Sequence, residues 1–138
     1  MSATVPLVVL AAVAAAVLAL AGPVAAGSDT DLRIRVWNEG RDATPTRTFT
    51  LRCDPAGGSL RNPGLACRKL AVLRSPFAPL RKDLQCTQLY GGPQEALVTG
   101  SYRGQRVWVL LNLRDGCRID RWRKLAFLTP GFGTAANS

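Results

Sequence analysis

The sequence predicts an α+β domain, an antiparallel sheet of about five strands with two helices, behind a short apolar leader. Three observations carry this reading: period-2 alternation in "DLRIRVWN" and "RTFTLRC", a hairpin pattern around Arg103-Gly104, and a helix start at Asn62-Pro63. Four cysteines in 138 residues add covalent bracing.

The leader comes first. The first 26 residues hold no charged side chain, and Leu7 to Ala21 is an unbroken apolar run. That is short for a membrane span, which needs roughly 20 apolar residues, and suits the core of a signal peptide. Val24-Ala25-Ala26 fits the small-x-small cleavage rule, so residues 1–26 are expected to be removed and residues 27–138 to form the domain. A cut after Ala21 is the alternative. Because Met1 to Pro6 lacks the usual Lys or Arg, retention as an anchor is another.

In the domain, Leu32, Ile34 and Val36 alternate with Arg33 and Arg35, the pattern of a strand with one buried face. "NEGRDATPTR" is turn chemistry, and Phe49, Leu51 and Cys53 share a face of a second strand. Asp54 to Gly58 is a loop by its Pro and Gly content. Asn62 can cap and Pro63 can open a helix reaching Arg74, with Leu65, Ala66, Leu70 and Leu73 at helical spacing. Phe77 to Gln85 is a linker.

"CTQLYGGP" then reads as an exposed loop with a controlled exit, beside a cysteine. "QEALVTGSY" and "QRVWVLLNL" flank the Arg103-Gly104 turn. The second of these strands is apolar on both faces, with Val107, Val109, Leu111 and Leu113 on one and Trp108 and Leu110 on the other, and is expected to be central. Ile119 and Trp122 predict a short helix, "LAFL" a last edge strand, and residues after Phe132 a frayed tail. Trp37, Trp108 and Trp122 are read as packing residues, and Tyr90 as packing at the base of the loop.

Composition excludes more than it selects. No histidine is present, so neither a Ser-His-Asp nor a Cys-His nucleophile system can be built, and no Gly-rich phosphate loop joins a strand to a helix. The chain is not expected to be an enzyme. No cofactor is implied, and the absence of His and of any C-x-x-C pair argues against a metal. An even cysteine count in an exported chain points to disulfides, and Cys53, Cys67, Cys86 and Cys117 allow three pairings. The net charge of +9 raises anionic cell-wall polymer, an acidic protein or nucleic acid as partners. Export argues against nucleic acid. So does the scatter of the arginines over every segment.

"LRCDPAGGSLRNPGLAC", "CTQLYGGPQEALVTGSYRGQRV" and "DGCRIDRW" together resemble the subtilisin inhibitor-like family of secreted actinobacterial serine-protease inhibitors, from about residue 30 to about residue 128. The resemblance implies both helices on one face of the sheet and the pairs Cys53–Cys67 and Cys86–Cys117. Closing loops of that size stabilises by roughly 3 kcal/mol each in the chain-entropy model. It implies a scissile bond two residues after the third cysteine, here Gln88-Leu89, in a reactive loop with Thr87, Tyr90, Gly91 and Gly92. Thr87 would brace the loop through its hydroxyl, and Asp115 would support it from behind. Gln85 and Gln88 depart from common family choices, as do Leu60 and Arg61 in the first cysteine loop. The implied partner is an extracellular subtilisin-like protease, with a homodimer through the sheet face as a second expectation. Two rival readings remain: a non-inhibitory basic extracellular binding module on this scaffold, and inhibition of another protease class, such as a metalloprotease, through a different surface.

Overall fold

The computed structural model describes Met1, Ser2, Gly22 and residues 29–132. The rest of the expected leader and the tail after Phe132 lie outside the described residues. The alternating segments form β1 (Thr30–Trp37) and β2 (Arg47–Cys53), and the hairpin forms β3 (Glu95–Tyr102) and β4 (Gln105–Asn112). All pairings are antiparallel, in the order β2-β1-β3-β4. The inward residues, among them Leu32, Ile34, Val36, Leu51, Val98 and Leu111, join one buried cluster.

Helix α1 (Pro63–Val72) begins as expected: the Asn62 side chain accepts from the Leu65 amide at 3.2 Å, and Pro63 occupies the first turn, where its missing N–H costs nothing. It buries Ala66 and Leu70 against the sheet, while α2 (Gly116–Lys124) buries Ile119 and Trp122 in the same cluster. Both helices therefore cover one face. The buried Trp122 ring donates from Nε1 to the Phe132 carbonyl at 3.2 Å, so the polar end of a large apolar side chain is satisfied.

Three expectations are corrected. The sheet has four strands, because Ala126–Leu128 is a 3₁₀ turn, α3, rather than an edge strand. In a strand Leu125 would share a face with Phe127; the three-residue period instead turns Leu125 and Leu128 inward together, and both are buried. Second, β4 is an edge, pairing only with β3, and the interior strands are β1 and β3. Third, Trp37 and Trp122 are buried, but Trp108 is 63% exposed, on the sheet face that the helices leave open. Apolar residues on both sides of β4 imitate a central strand. Only one side is fully covered.

Candidate functional site

Between the linker and β3 the chain runs from Leu84 to Gly92 without a turn or a bend, and no residue from 84 to 91 has a positive φ. This is extended backbone held against the body of the protein at three points. Cys86 is bonded to Cys117 in α2. The Thr87 carbonyl accepts from the Gly116 amide at 3.0 Å, and the Gly91 amide donates to the Leu113 carbonyl at 2.7 Å. Between these anchors, the peptide groups of Gln88, Leu89 and Tyr90 make no hydrogen bond among the described residues. Gln88 is exposed, Leu89 is 59% exposed and Tyr90 65% exposed.

The anchors depend on close backbone approach. A Cβ on Gly116 would land on Thr87 Oγ1, so any larger residue there makes the Thr87 side chain move where α2 begins against the loop. A Cβ on Gly91 would come within 3.0 Å of Ile119 Cδ1 and 3.1 Å of Leu113 Cβ. Gly92, at φ 131°, makes the exit turn in a region that L side chains rarely enter.

Asp115 is the N-cap of α2, its carboxylate accepting from the Arg118 amide at 3.0 Å and pairing with the Arg118 guanidinium. The Arg118 amide holds this carboxyl below the ordinary value of 3.8; partial desolvation opposes the shift and the guanidinium adds to it. Asp115 makes no hydrogen bond to the loop itself; it secures the helix start whose first amide, on Gly116, holds Thr87. The Thr87 contact runs through its carbonyl, and its hydroxyl has no hydrogen-bond partner among the described residues.

Cys86, Asp115 and Cys117 place their sulfur and oxygen atoms within 4.8 Å of one another. The sulfurs are bonded to each other, so no thiolate is left to bind a metal ion. The second pairing, Cys53–Cys67, also follows the expectation.

Tyr90 does not pack at the loop base as expected; it stands in solvent. Two features escaped the sequence reading. Leu84, 41% exposed, extends the apolar character of the loop before Cys86; an isolated Leu in the charged "RKDL" was the available signal. The buried Glu95, where the loop rejoins the sheet, accepts from the Arg41 amide at 3.0 Å and from the Arg114 guanidinium at 3.1 Å. It ties the loop exit to the β1–β2 connection and to the end of β4. No local pattern marks a contact 54 residues away in sequence.

A model of the subtilisin inhibitor-like family matches residues 26–111. The matched stretch includes the whole loop but stops before Asp115 and Cys117. Among solved structures, sermetstatin from Streptomyces caespitosus in complex with a subtilisin from Bacillus licheniformis is similar, with a TM-score of 0.48 and 23% sequence identity over 74% of this chain and 97% of that one. No curated protein matches the sequence.

Proposed function

This chain belongs to the subtilisin inhibitor-like family, and from that membership we propose that it presents Gln88-Leu89 to its target as the scissile bond. As a member it is an inhibitor of subtilisin-like serine proteases and not an enzyme. What supports the choice of bond is the extended, exposed run from Thr87 to Tyr90 whose peptide groups beyond the Thr87 carbonyl are unpaired.

A protease binds its substrate as an added strand, through main-chain hydrogen bonds and alternate side-chain pockets. The free peptide groups of residues 88 to 90 can make those bonds, and little conformational freedom is lost because the anchors already restrain the segment. Attack on the Gln88 carbonyl would leave an acyl group on Gln88 and a free amine on Leu89. The acyl side stays fixed by the Cys86–Cys117 bridge and the Thr87–Gly116 hydrogen bond, and the amine side by the Gly91–Leu113 hydrogen bond. The amine therefore remains beside the acyl carbon, and religation competes with hydrolysis. Uncharged Gln88 would leave the acid of a trypsin-like pocket unpaired but is tolerable to a broad subtilisin pocket.

The test is a titration of subtilisin with the purified domain. Stoichiometric loss of activity is expected, abolished by Gln88→Pro; inhibition unchanged in that variant would move the contact to another surface and favour the rival protease classes.

The finer readings of place and assembly belong to the same proposal. The leader exports the domain, and the secreted protein is expected to begin at Gly27, read by N-terminal sequencing. No helix among the described residues is long and apolar enough to cross a membrane. A homodimer through the open sheet face would bring Arg33 and Arg35 toward their own copies, so self-association should strengthen with salt in sedimentation velocity.

A further inference from the structure

The two sides of the Gln88-Leu89 bond are held by unlike means. The acyl side has a covalent bridge at Cys86 and the Gly116 amide at the start of α2. On the amine side, residues 89–94 make one hydrogen bond between backbone groups among the described residues, from the Gly91 amide to the Leu113 carbonyl at 2.7 Å. That acceptor lies outside the sheet ladder. β4 is an edge strand whose last pair is Asn112 with Glu95, and Leu113 follows it on the way to α2. The anchor is only as firm as this carbonyl, so a contact beyond the ladder has to fix it.

Glu95 stands where it can do so. It occupies the terminal row of the sheet, opposite Trp37 of β1 and Asn112 of β4, so three strand ends meet at one residue. Its carboxylate is buried and divides its oxygens between two segments. Oε1 accepts from the Arg114 guanidinium at 3.1 Å; Oε2 accepts from the Arg41 amide at 3.0 Å and lies 3.5 Å from Arg41 Nε. The Arg114 amide in turn donates to the Asn112 side chain at 3.2 Å. The Leu113 carbonyl and the Arg114 N–H belong to one planar peptide group, so gripping Arg114 by its amide and its guanidinium also orients the carbonyl that receives Gly91.

We propose that Glu95 is a positioning residue for inhibition, acting through Arg114 and the Leu113–Arg114 peptide to keep the Leu89 amine beside the Gln88 acyl carbon. This inference rests on Gln88-Leu89 being the scissile bond. Both carboxylate oxygens accept, and both are used. A glutamine of the same size has one acceptor oxygen and an NH2 group, which would meet a donor at Arg41 or at Arg114 and break one of the two links. Burial raises the cost, because a donor left unpaired away from water is not compensated. A loosened amine lowers the effective concentration that drives religation. The effect therefore falls on resealing rather than on first encounter, which depends on the exposed loop.

The test is the equilibrium between intact and cleaved inhibitor. The purified protein is incubated with a catalytic amount of subtilisin, starting from the intact form and separately from the cleaved form, and the two forms are quantified by mass spectrometry after reduction. Glu95→Gln should raise the ratio of cleaved to intact protein about tenfold and slow resealing, with the association rate constant changed less than about twofold. Arg114→Ala, at a side chain 67% exposed and so of little weight in folding, should do the same. Leu51→Ala, which weakens the core, should lower the melting temperature and leave the ratio at the wild-type value. A merely structural Glu95 predicts the reverse: a lower melting temperature in Glu95→Gln, with the ratio unmoved there and in Arg114→Ala. That result would overturn the inference, as would an equal rise of the ratio in Leu51→Ala. Wild-type fragments from a different bond would overturn the scissile-bond reading and this inference together, whereas a cut at Gln88-Leu89 with an unmoved ratio overturns this inference alone.

Discussion

The two disulfide loops use the same covalent device for opposite ends. In the first, the bridge from Cys53 to Cys67 closes a segment that turns back on its own strand: Gly57 exchanges two hydrogen bonds with Arg52, Ser59 pairs with Thr50, the Leu60 amide donates to the Thr50 carbonyl at 3.0 Å, and the Leu60 side chain is buried. In the second, the bridge from Cys86 to Cys117 holds a segment whose peptide groups stop pairing after Thr87 and resume at Gly91. A crosslink alone does not make a recognition loop. What separates the two is where the backbone hydrogen bonds go: inward in one, left unmade among the described residues between Thr87 and Gly91 in the other.

Removing the second bridge should break this contrast most completely. Cys86→Ser with Cys117→Ser is expected to convert the inhibitor into a substrate, with cleavage at Gln88-Leu89 followed by mass spectrometry. Religation requires the acyl side to stay in place, and one hydrogen bond at Thr87 would then be its local anchor. Removing the first bridge, Cys53→Ser with Cys67→Ser, should cost about 3 kcal/mol of stability in denaturant titration. Inhibition should be nearly unchanged wherever the domain remains folded. If inhibition fell equally in both double variants, the contrast would be wrong.

Smaller changes sharpen the picture. Gly116→Ala crowds the Thr87 side chain beside its anchor and should weaken inhibition by up to about tenfold, close to 1.4 kcal/mol, in inhibition-constant measurements. Asp115→Ala removes the cap of α2 and should cost about 1 kcal/mol. Its effect has a pH signature. The folded carboxyl titrates below its ordinary 3.8, so Asp115 contributes stability that is present above that value and is lost as pH falls through the folded pKa. The two proteins should therefore converge in stability in acid and differ most at neutral pH, as read by thermal melts across pH.

The legible parts of this chain were those governed by neighbours in sequence. Alternation in β1 and β2, the Asn62-Pro63 start and the Arg103-Gly104 turn each depend on a few consecutive residues, and each appears as expected. The errors came where local pattern has two tertiary meanings. Trp108 and Leu110 made β4 resemble an interior strand, yet an edge strand with an uncovered face has the same sequence. "LAFL" is apolar enough for a strand, and only packing against the core chose the period that buries Leu125 with Leu128. Tyr90 has the composition of a packing residue and stands in water because the loop is held out by anchors formed far from it in sequence.

By itself, then, the amino-acid order determined the α+β class, the helix starts and turns and the location of a solvent-facing loop, because these follow from short-range sterics, capping and periodicity. Its motifs also carried the family. Tertiary structure alone decided that β4 ends the sheet and that Glu95 gathers two arginines at the loop exit. These are meetings between residues distant in the chain, and only the folded register brings them together.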